Sequence, residues 1–246
     1  MHRFFIDPTL FQKNTIELPA DIAHQVRNVL RMQPGDHLIL LNNLGQQAEA
    51  ELVELSRRQV IVHCLHRQPA TGESTSSVTL YQSLLKKDNF EWVLQKGTEL
   101  GISRFVPLLT ERTVVGDHML KPNKLARWQR ILTEAAEQCG RAYIPDLAPA
   151  QSLSEVLAKQ PVGDGLGLIP TLLATTPLLT VLNGRLPLPP HITLFIGPEG
   201  GFSPTEIEQA EANGLIAVSL GPRTLRAETA AIAAATLITT CGSIDN

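Results

Sequence analysis

The residues best suited to chemistry lie in two glycine-containing loops of the C-terminal third of the chain. The first loop reads IGPEGGFSP (196–204) and places three glycines around a single carboxylate, Glu199. The second reads LGPRTLRAETA (220–230) and adds two guanidinium groups, a second carboxylate and two hydroxyls. Glycine lets a ligand approach the backbone closely. Together the loops predict a site in which backbone groups hold a ligand and a few polar side chains act on it.

Phosphate is the first ligand to consider for a glycine loop that precedes a helix, because free backbone N–H groups there bind anions. The glycines at 197, 200 and 201 match neither G-x-G-x-x-G nor the P-loop pattern, and no Lys follows them. Glu199 also places a negative charge where a phosphate would sit. The loop therefore predicts a neutral or cationic ligand, such as one that carries a ribose. The alternative is a plain tight turn between a strand and a helix.

The flanking sequence predicts the elements that hold the two loops. HITLFI (191–196) is an apolar run typical of a buried strand, and SPTE (203–206) is the start of a helix with a capping box. LIAVSL (215–220) predicts the next strand, and the alanine-rich AETAAIAAATLITT (227–240) predicts the helix after the second loop. Because ligands of open α/β sheets bind at the carboxyl ends of strands, we expect both loops at one edge of a sheet.

Two features of the second loop have alternative interpretations. The alanine face of its helix fits close packing on the sheet or on a second subunit, and for any single alanine the core is the simpler interpretation. Glu228 lies in the first turn of that helix. Its carboxylate could take part in the chemistry of the site, or it could simply compensate the helix dipole.

The chain divides at PATGESTSS (69–77), a stretch of small polar residues with no apolar pattern. We expect one domain over 1–72 and a second over 73–246. In the first, ADIAHQVRNVL predicts a helix and DHLILLNN, AEAELVEL and QVIVHCL predict strands, which is typical of a small β-barrel. In the second, strands alternate with helices, which predicts an α/β fold with a largely parallel sheet. Its longest amphipathic pattern (123–142) has an apolar stripe that ends at Cys139.

Composition narrows the class of protein. Of 246 residues, 43% are hydrophobic and 18% are charged, as in ordinary globular proteins, and no apolar run is long enough to span a bilayer. MHRFFIDPTL lacks the apolar stretch of a secretory signal peptide, and neither the three cysteines nor the seven histidines have metal-ligand spacing. We therefore expect a cytoplasmic protein without a membrane segment or a metal site.

The charge distribution favours an anionic partner for one region of the chain. The net charge of −3 argues against a protein that coats nucleic acid without sequence preference. Basic residues nevertheless outnumber acidic ones over 74–145 and are outnumbered over 146–246. Arginine is the side chain best shaped for phosphate, although surface arginines also form ordinary ion pairs.

Five segments of the chain, taken in order, form a specific set. They are HQVRNVLRMQPGD, WVLQKGTELGISRFVPLLTERTV, RWQRILTEAAEQCGRAYIP, IGPEGGFSPTEI and LGPRTLRAETAA. Together they resemble the ribosomal RNA small subunit methyltransferase E family. The resemblance covers nearly the whole chain and is weakest from about 146 to 190.

This resemblance implies a fold and a cofactor. The fold is a PUA-like β-barrel followed by a SPOUT-type α/β methyltransferase domain with a C-terminal trefoil knot, which goes against the general rule that chains do not thread loops. The cofactor is S-adenosylmethionine, bound in the knot, and the working unit is a homodimer. The residues implied in cofactor binding are Gly197, Glu199, Gly200, Gly201, Leu220, Gly221, Leu225, Arg226 and Thr229.

The reaction implied is methylation of N3 of one uridine in the decoding region of 16S rRNA, within the small ribosomal subunit. The uracil N3 proton must leave before or during attack on the methyl group, so a base or a group that stabilises the developing oxyanion is needed. We expect Arg226 to orient or stabilise the uracil and Glu228 to handle the proton. The residues expected to contact the RNA backbone are Arg3 and Arg31 from the barrel and Arg112 and Arg141 from the catalytic domain.

Two stretches depart from the family pattern. Thr224 and Ala227 stand where the family more often has Ile and Thr, and GLGLIPTLLATTPL (165–178) resembles it only loosely. Two other functions stay as alternatives: an RNA-binding module that keeps the fold without catalysis, and a nucleotide-dependent oxidoreductase. Cofactor binding would separate the first from an enzyme, and the glycine spacing argues against the second.

Overall fold

The computed structural model describes residues 1–114, 121–159 and 162–242. The chain forms two compact units. The N-terminal unit comprises Met1–Glu73 together with Ala136–Ile144, and the C-terminal unit comprises Ser74–Ala135 and Pro145–Asn246. The domain division expected between residues 72 and 73 stays a prediction. The segment Ala136–Ile144, which belongs to the N-terminal unit, was not anticipated.

The N-terminal unit contains a five-stranded sheet made of β1 (His2–Phe5), β2 (Thr15–Glu17), β3 (His37–Leu41), β4 (Gln46–Leu55) and β5 (Val60–Pro69). Its strand order is β1-β3-β4-β5-β2, with β1 parallel to β3 and the other neighbours antiparallel. A short helix, α1 (Pro8–Phe11), follows β1. The helix predicted from ADIAHQVRNVL is present as α2 (Ala20–His24), which continues as a π-helix over Gln25–Val29.

Alternation of apolar and polar residues builds the core of this unit. In β4, Ala48, Ala50 and Leu52 are buried while the residues between them are not, which is the period of two of a strand with one covered face. The covered faces pack around Phe11 and Ile16, which are fully buried. The strands predicted from AEAELVEL and QVIVHCL are confirmed, and both are longer than predicted.

The C-terminal unit contains a seven-stranded sheet made of β6 (Ser77–Ser83), β7 (Arg104–Leu109), β8 (Asp146–Leu147), β9 (Gln151–Ser152), β10 (Leu166–Pro170), β11 (His191–Ile196) and β12 (Leu215–Val218). The strand order is β12-β10-β11-β6-β7-β8, with β9 beside β7. Every pairing of these strands in the described part of the chain is parallel. The α/β fold with a parallel sheet is therefore confirmed.

Helices connect these strands. They are α3 (Asn89–Glu99), α4 (Pro122–Cys139), α5 (Leu153–Ala158), α6 (Leu178–Asn183), α7 (Pro204–Ala212) and α8 (Ala227–Cys241). Helices α5 and α7 share one apolar cluster with β11, where Phe195 stacks on Tyr81 of β6 with ring centroids 4.4 Å apart. Helix α8 packs on α3, α6 and β11. Its buried face consists mainly of alanines, so the core interpretation of that face is confirmed.

Two sequence expectations need correction. In α4, Trp128 and Leu132 are buried as predicted, but Cys139 is exposed because the helix ends there and the chain turns at Gly140. In the stretch from 146 to 190, only the strand β10 was predicted. The structure adds β8, β9, α5 and α6, none longer than six residues.

Candidate functional site

The carboxyl ends of β10, β11 and β12 surround a cavity of about 750 Å³ in the C-terminal unit. The loop after β11 contributes residues 196–202, the loop after β12 contributes 220–221 and 223–228, and the end of β10 contributes 170–173. The two glycine loops therefore share one edge of the sheet, as predicted, with the end of β10 between their strands. A cavity of this size is typical of small-molecule and cofactor sites.

The first glycine loop is a tight connection between β11 and α7. The N–H of Gly201 donates to the carbonyl of Pro198 over 2.9 Å, and Gly201 has a φ of +66°, which favours glycine. A Cβ on Gly197 would come within 3.2 Å of the backbone of Gly201 and the ring of Phe202. The predicted capping box is confirmed, since the side chain of Ser203 accepts from the N–H of Glu206 and the Glu206 carboxylate accepts from the N–H of Ser203.

Residues that follow β7 brace this loop. Arg112 Nη1 donates to the carbonyls of Gly200, over 2.8 Å, and Phe202, over 3.3 Å. The N–H of Glu111 donates to the buried carboxylate of Glu206 over 2.8 Å. Arg112, which we expected to contact RNA, thus lines the cavity and holds two peptide groups of the glycine loop.

The carboxylate of Glu199 is exposed and accepts a hydrogen bond of 3.1 Å from the N–H of Lys86. Lys86 lies in the turn between β6 and α3, and Asn89 from the start of α3 also lines the cavity. Glu199 therefore ties the first glycine loop to the turn after β6, an arrangement that the sequence did not indicate.

The end of β10 supplies the third wall. The N–H of Thr171 donates to the carbonyl of Val218 over 3.0 Å, which joins this wall to β12. Leu172 and Leu173 are 71% and 74% exposed and line the cavity. The family resemblance implies that this strand end borders the cofactor, but it identifies no contact residue here or at Asn89. The position of 170–173 after a predicted strand was the available signal, whereas Asn89 comes from the start of a helix and carried none.

The second glycine loop brings most of its predicted residues to the cavity. Leu220, Gly221, Leu225, Arg226 and Glu228 all line it. Arg226 is the N-cap residue of α8, its side chain makes no capping hydrogen bond, and it is exposed. Glu228 is half-buried in the first turn. Thr229 is exposed on α8 and is not among the lining residues.

The other predicted RNA contacts lie in the N-terminal unit. Arg3 is half-buried on β1, and Arg31 is exposed with a left-handed φ of +54°. Arg141, expected in the catalytic domain, belongs to the N-terminal unit and is only 4% exposed. Its guanidinium pairs with the Glu73 carboxylate over 2.7 Å, and that carboxylate also accepts from the N–H of Ala142.

Within residues 1–114, 121–159 and 162–242, no three His, Cys, Asp or Glu side chains gather as a metal site would require. His118, one of the seven histidines considered above, lies outside these ranges. None of the helices in the same ranges has the length and apolar character needed to cross a membrane.

Comparison with known families matches two parts of the chain. Residues 72–239 match the RNA methyltransferase domain, and residues 18–63 match the RNA methyltransferase PUA domain. Among curated relatives, the ribosomal RNA small subunit methyltransferase E of Synechocystis is 37% identical over 93% of this chain and 74% of its own length. The protein of the same name in Bacillus subtilis is 30% identical over 97% and 96%.

Solved structures give the same result. The ribosomal RNA small subunit methyltransferase E of Neisseria gonorrhoeae, bound to S-adenosyl methionine, has a TM-score of 0.87 and 33% identity, covering 98% of this chain and 97% of its own. A putative methyltransferase of Legionella pneumophila in complex with the same cofactor has equal values. The matched domains, the near full-length identity and the shared fold show that the chain belongs to the ribosomal RNA small subunit methyltransferase E family of RNA methyltransferases.

Proposed function

We propose that this protein transfers the methyl group of S-adenosylmethionine to N3 of one uridine in the decoding region of 16S rRNA. The observation that carries the proposal is the cavity at the ends of β10, β11 and β12, lined by both glycine loops. In two relatives that share the fold at 33% identity, S-adenosylmethionine is bound.

The residues around the cavity fit this cofactor. Its adenine and ribose need close backbone approach and apolar walls, which Gly197, Leu220 and Leu225 provide. Its sulfonium is a cation, and Glu199 and Glu228 bring negative charge to the cavity. When bound, the cofactor supplies an electrophilic methyl group. No phosphate has to be held, which agrees with the absence of phosphate-binding glycine spacing in the two loops.

We assign the handling of the uracil to the second glycine loop. Arg226 carries a guanidinium that is not used in capping α8, so it can donate to a uracil carbonyl oxygen and stabilise negative charge that develops there. Glu228 lines the same cavity and is the proposed acceptor of the N3 proton. Holding the base in line with the methyl group supplies much of the remaining rate enhancement.

For the RNA backbone we propose Arg3 and Arg31 as phosphate contacts. Arg31 is exposed, and Arg3 is partly exposed on β1. Arg112 has a bracing role in the glycine loop, which leaves part of its guanidinium for a phosphate. Arg141 stays outside the proposal, because its side chain is buried against Glu73.

The knot, the homodimer and the cytoplasmic location also belong to the proposal. Support for the knot is the convergence of the loops after β10, β11 and β12 on one cavity. Light scattering coupled to size-exclusion chromatography tests the dimer: a particle of twice the chain mass of 26.9 kDa supports it, and a particle of single mass contradicts it.

The test of the function is transfer of radiolabelled methyl from S-adenosylmethionine to small ribosomal subunits that lack the modification, followed by nuclease mapping. We expect label at uridine N3 with the wild type and none with Arg226→Ala. Arg185→Ala is the matched control, because Arg185 is exposed and does not line the cavity. Cofactor binding without transfer to any RNA would favour the non-catalytic module, and failure to bind the cofactor would refute the methyltransferase proposal.

A further inference from the structure

The turn between β6 and α3 (86–89) carries two exposed lysines, Lys86 and Lys87, next to the cavity. The N–H of Lys86 donates to Glu199 in the first glycine loop, and Asn89 lines the cavity. Both ends of the turn are anchored. Leu85 before it and Phe90 after it are fully buried, and Phe90 packs on Trp128 with ring centroids 4.5 Å apart.

Lys87 has an unusual backbone conformation. Its φ is +55°, in the left-handed region. Glycine, asparagine and aspartate are the usual residues there, because a longer side chain is strained. The anchored ends of the turn hold this conformation, so a glycine at position 87 would relieve strain. Residues in such backbone conformations cluster at binding and catalytic sites, which directs attention to the Lys87 side chain.

Basic side chains dominate the surroundings of the cavity. Arg112, Arg223 and Arg226 line it, and the 86–89 turn adds two more positive charges. The opposing carboxylates in the lining are Glu199 and Glu228. Asp88, exposed in the same turn, adds a third carboxylate, so five basic side chains face three acidic ones. The edge of the cavity therefore has a surplus of positive charge that suits a polyanion.

We propose that Lys87, with Lys86 beside it, binds a backbone phosphate of the RNA strand that carries the methylated base. This inference rests on the proposed function, since it concerns the RNA that presents its base to the same cavity. Enzymes that act on a base either bind it in a single strand or take it out of its stack, and in both cases the flanking phosphates lie outside the pocket. The lysine ammonium is a flexible point charge that suits such a phosphate.

The test uses Lys87→Gly, which removes the charge and installs the residue that the backbone favours. Cosedimentation of the protein with small ribosomal subunits is measured across salt concentrations, a readout that does not need methyl transfer. Loss of one phosphate contact on a single strand lowers the slope of log affinity against log salt by about 0.7. When the salt rises from ~50 to ~200 mM, the affinity of the wild type should therefore fall by a factor roughly threefold larger than the factor for the variant.

Three further measurements complete the test. We expect Lys87→Gly to keep or raise the melting temperature and to bind S-adenosylmethionine as the wild type does. Lys87→Gln should show the same change in salt slope. Lys159→Gln is the control, because Lys159 is exposed in the same unit and does not line the cavity, and its slope should match the wild type.

The outcomes separate this inference from the proposed function. Wild-type salt slopes in both Lys87 variants would overturn the inference, even if methyl transfer to rRNA is demonstrated. Weaker S-adenosylmethionine binding in both variants would overturn it as well, because the turn would then serve the cofactor. If the wild type binds subunits but transfers no methyl group, the proposed function fails while the slopes still decide the role of Lys87.

Discussion

Arg112 acts on the backbone of the first glycine loop through two carbonyls, those of Gly200 and Phe202. We predict that Arg112→Ala raises the dissociation constant for S-adenosylmethionine about tenfold, since charge-assisted hydrogen bonds contribute about 1.5–3 kcal/mol. Arg112→Lys should recover little, because an ammonium group does not reproduce the planar guanidinium. Calorimetric titration measures both. Unchanged cofactor binding with weakened rRNA binding would instead assign Arg112 to the RNA alone.

Gly197 and Gly200 form a matched pair for the same assay. A Cβ at Gly197 would lie 3.2 Å from Gly201 and from the Phe202 ring, whereas at Gly200 it would meet only the flexible Arg112 at an ordinary 3.5 Å. We predict that Gly197→Ala destabilises the fold by about 1–3 kcal/mol through overpacking and weakens cofactor binding, while Gly200→Ala is mild. Urea denaturation and titration check this. Equal effects of the two variants would contradict it.

At the scale of elements, Glu91 links α3 to α4. Glu91 is 6% exposed, and its carboxylate pairs with Lys124 and, over 2.8 Å, with Arg127. Burial raises the pKa of Glu91, but the hydrogen bonds and charges of Lys124 and Arg127 outweigh it, so the pKa lies below the ordinary 4.5. The folded pKa is thus lower than the unfolded one. The stabilisation is present above about pH 4.5 and is lost as pH falls through the folded pKa.

We therefore predict that Glu91→Gln lowers the free energy of unfolding by about 2 kcal/mol at pH 7, the range of a hydrogen bond to a charged group. The difference from the wild type should shrink as pH falls below 4.5. Urea denaturation at pH 7 and at more acidic pH measures it. Glu134→Gln, on the exposed side of α4, is the control. A constant difference at all pH values would assign the effect to packing.

The elements that carry the site were predictable for identifiable reasons. The strand β11 is a continuous apolar run, and α7 begins at a Ser-Pro-x-Glu box whose hydrogen bonds the structure contains. The elements between 146 and 190 were not predictable, because strands of two residues and helices of six are too short to show a period. The link from Glu199 to Lys86 also has no local signal, since the two residues are 113 positions apart.

At the scale of the whole molecule, the cofactor should stabilise the fold by mass action. We predict that S-adenosylmethionine at ~100 times its dissociation constant adds about 2.7 kcal/mol to the free energy of unfolding. For a chain of this size that raises the melting temperature by roughly 5–10 °C. Scanning calorimetry measures the shift. NAD at the same concentration is the control, and a larger shift with NAD than with S-adenosylmethionine would favour the oxidoreductase alternative.

Domain organisation was only partly visible in the sequence. The polar stretch at 69–77 gave a composition signal near the point where the two compact units divide. No sequence signal indicated that Ala136–Ile144 belongs to the N-terminal unit. The first of these residues continue the amphipathic pattern of α4, and the rest have the sequence of an ordinary helix end. Long-range contacts join this segment to the N-terminal unit, such as the hydrogen bond from the N–H of Phe5 to the carboxylate of Glu137.

This discontinuous unit sets an order of events during synthesis. When residue 73 has left the ribosome, the N-terminal unit still lacks Arg141 for its Glu73 carboxylate and Glu137 for the N–H of Phe5. Both arrive only after residues 74–135, which belong to the other unit, have been translated. The nascent protein therefore cannot finish its first unit before more than half of the chain has emerged, and a fragment that stops at residue 73 would leave the Glu73 carboxylate without its guanidinium partner.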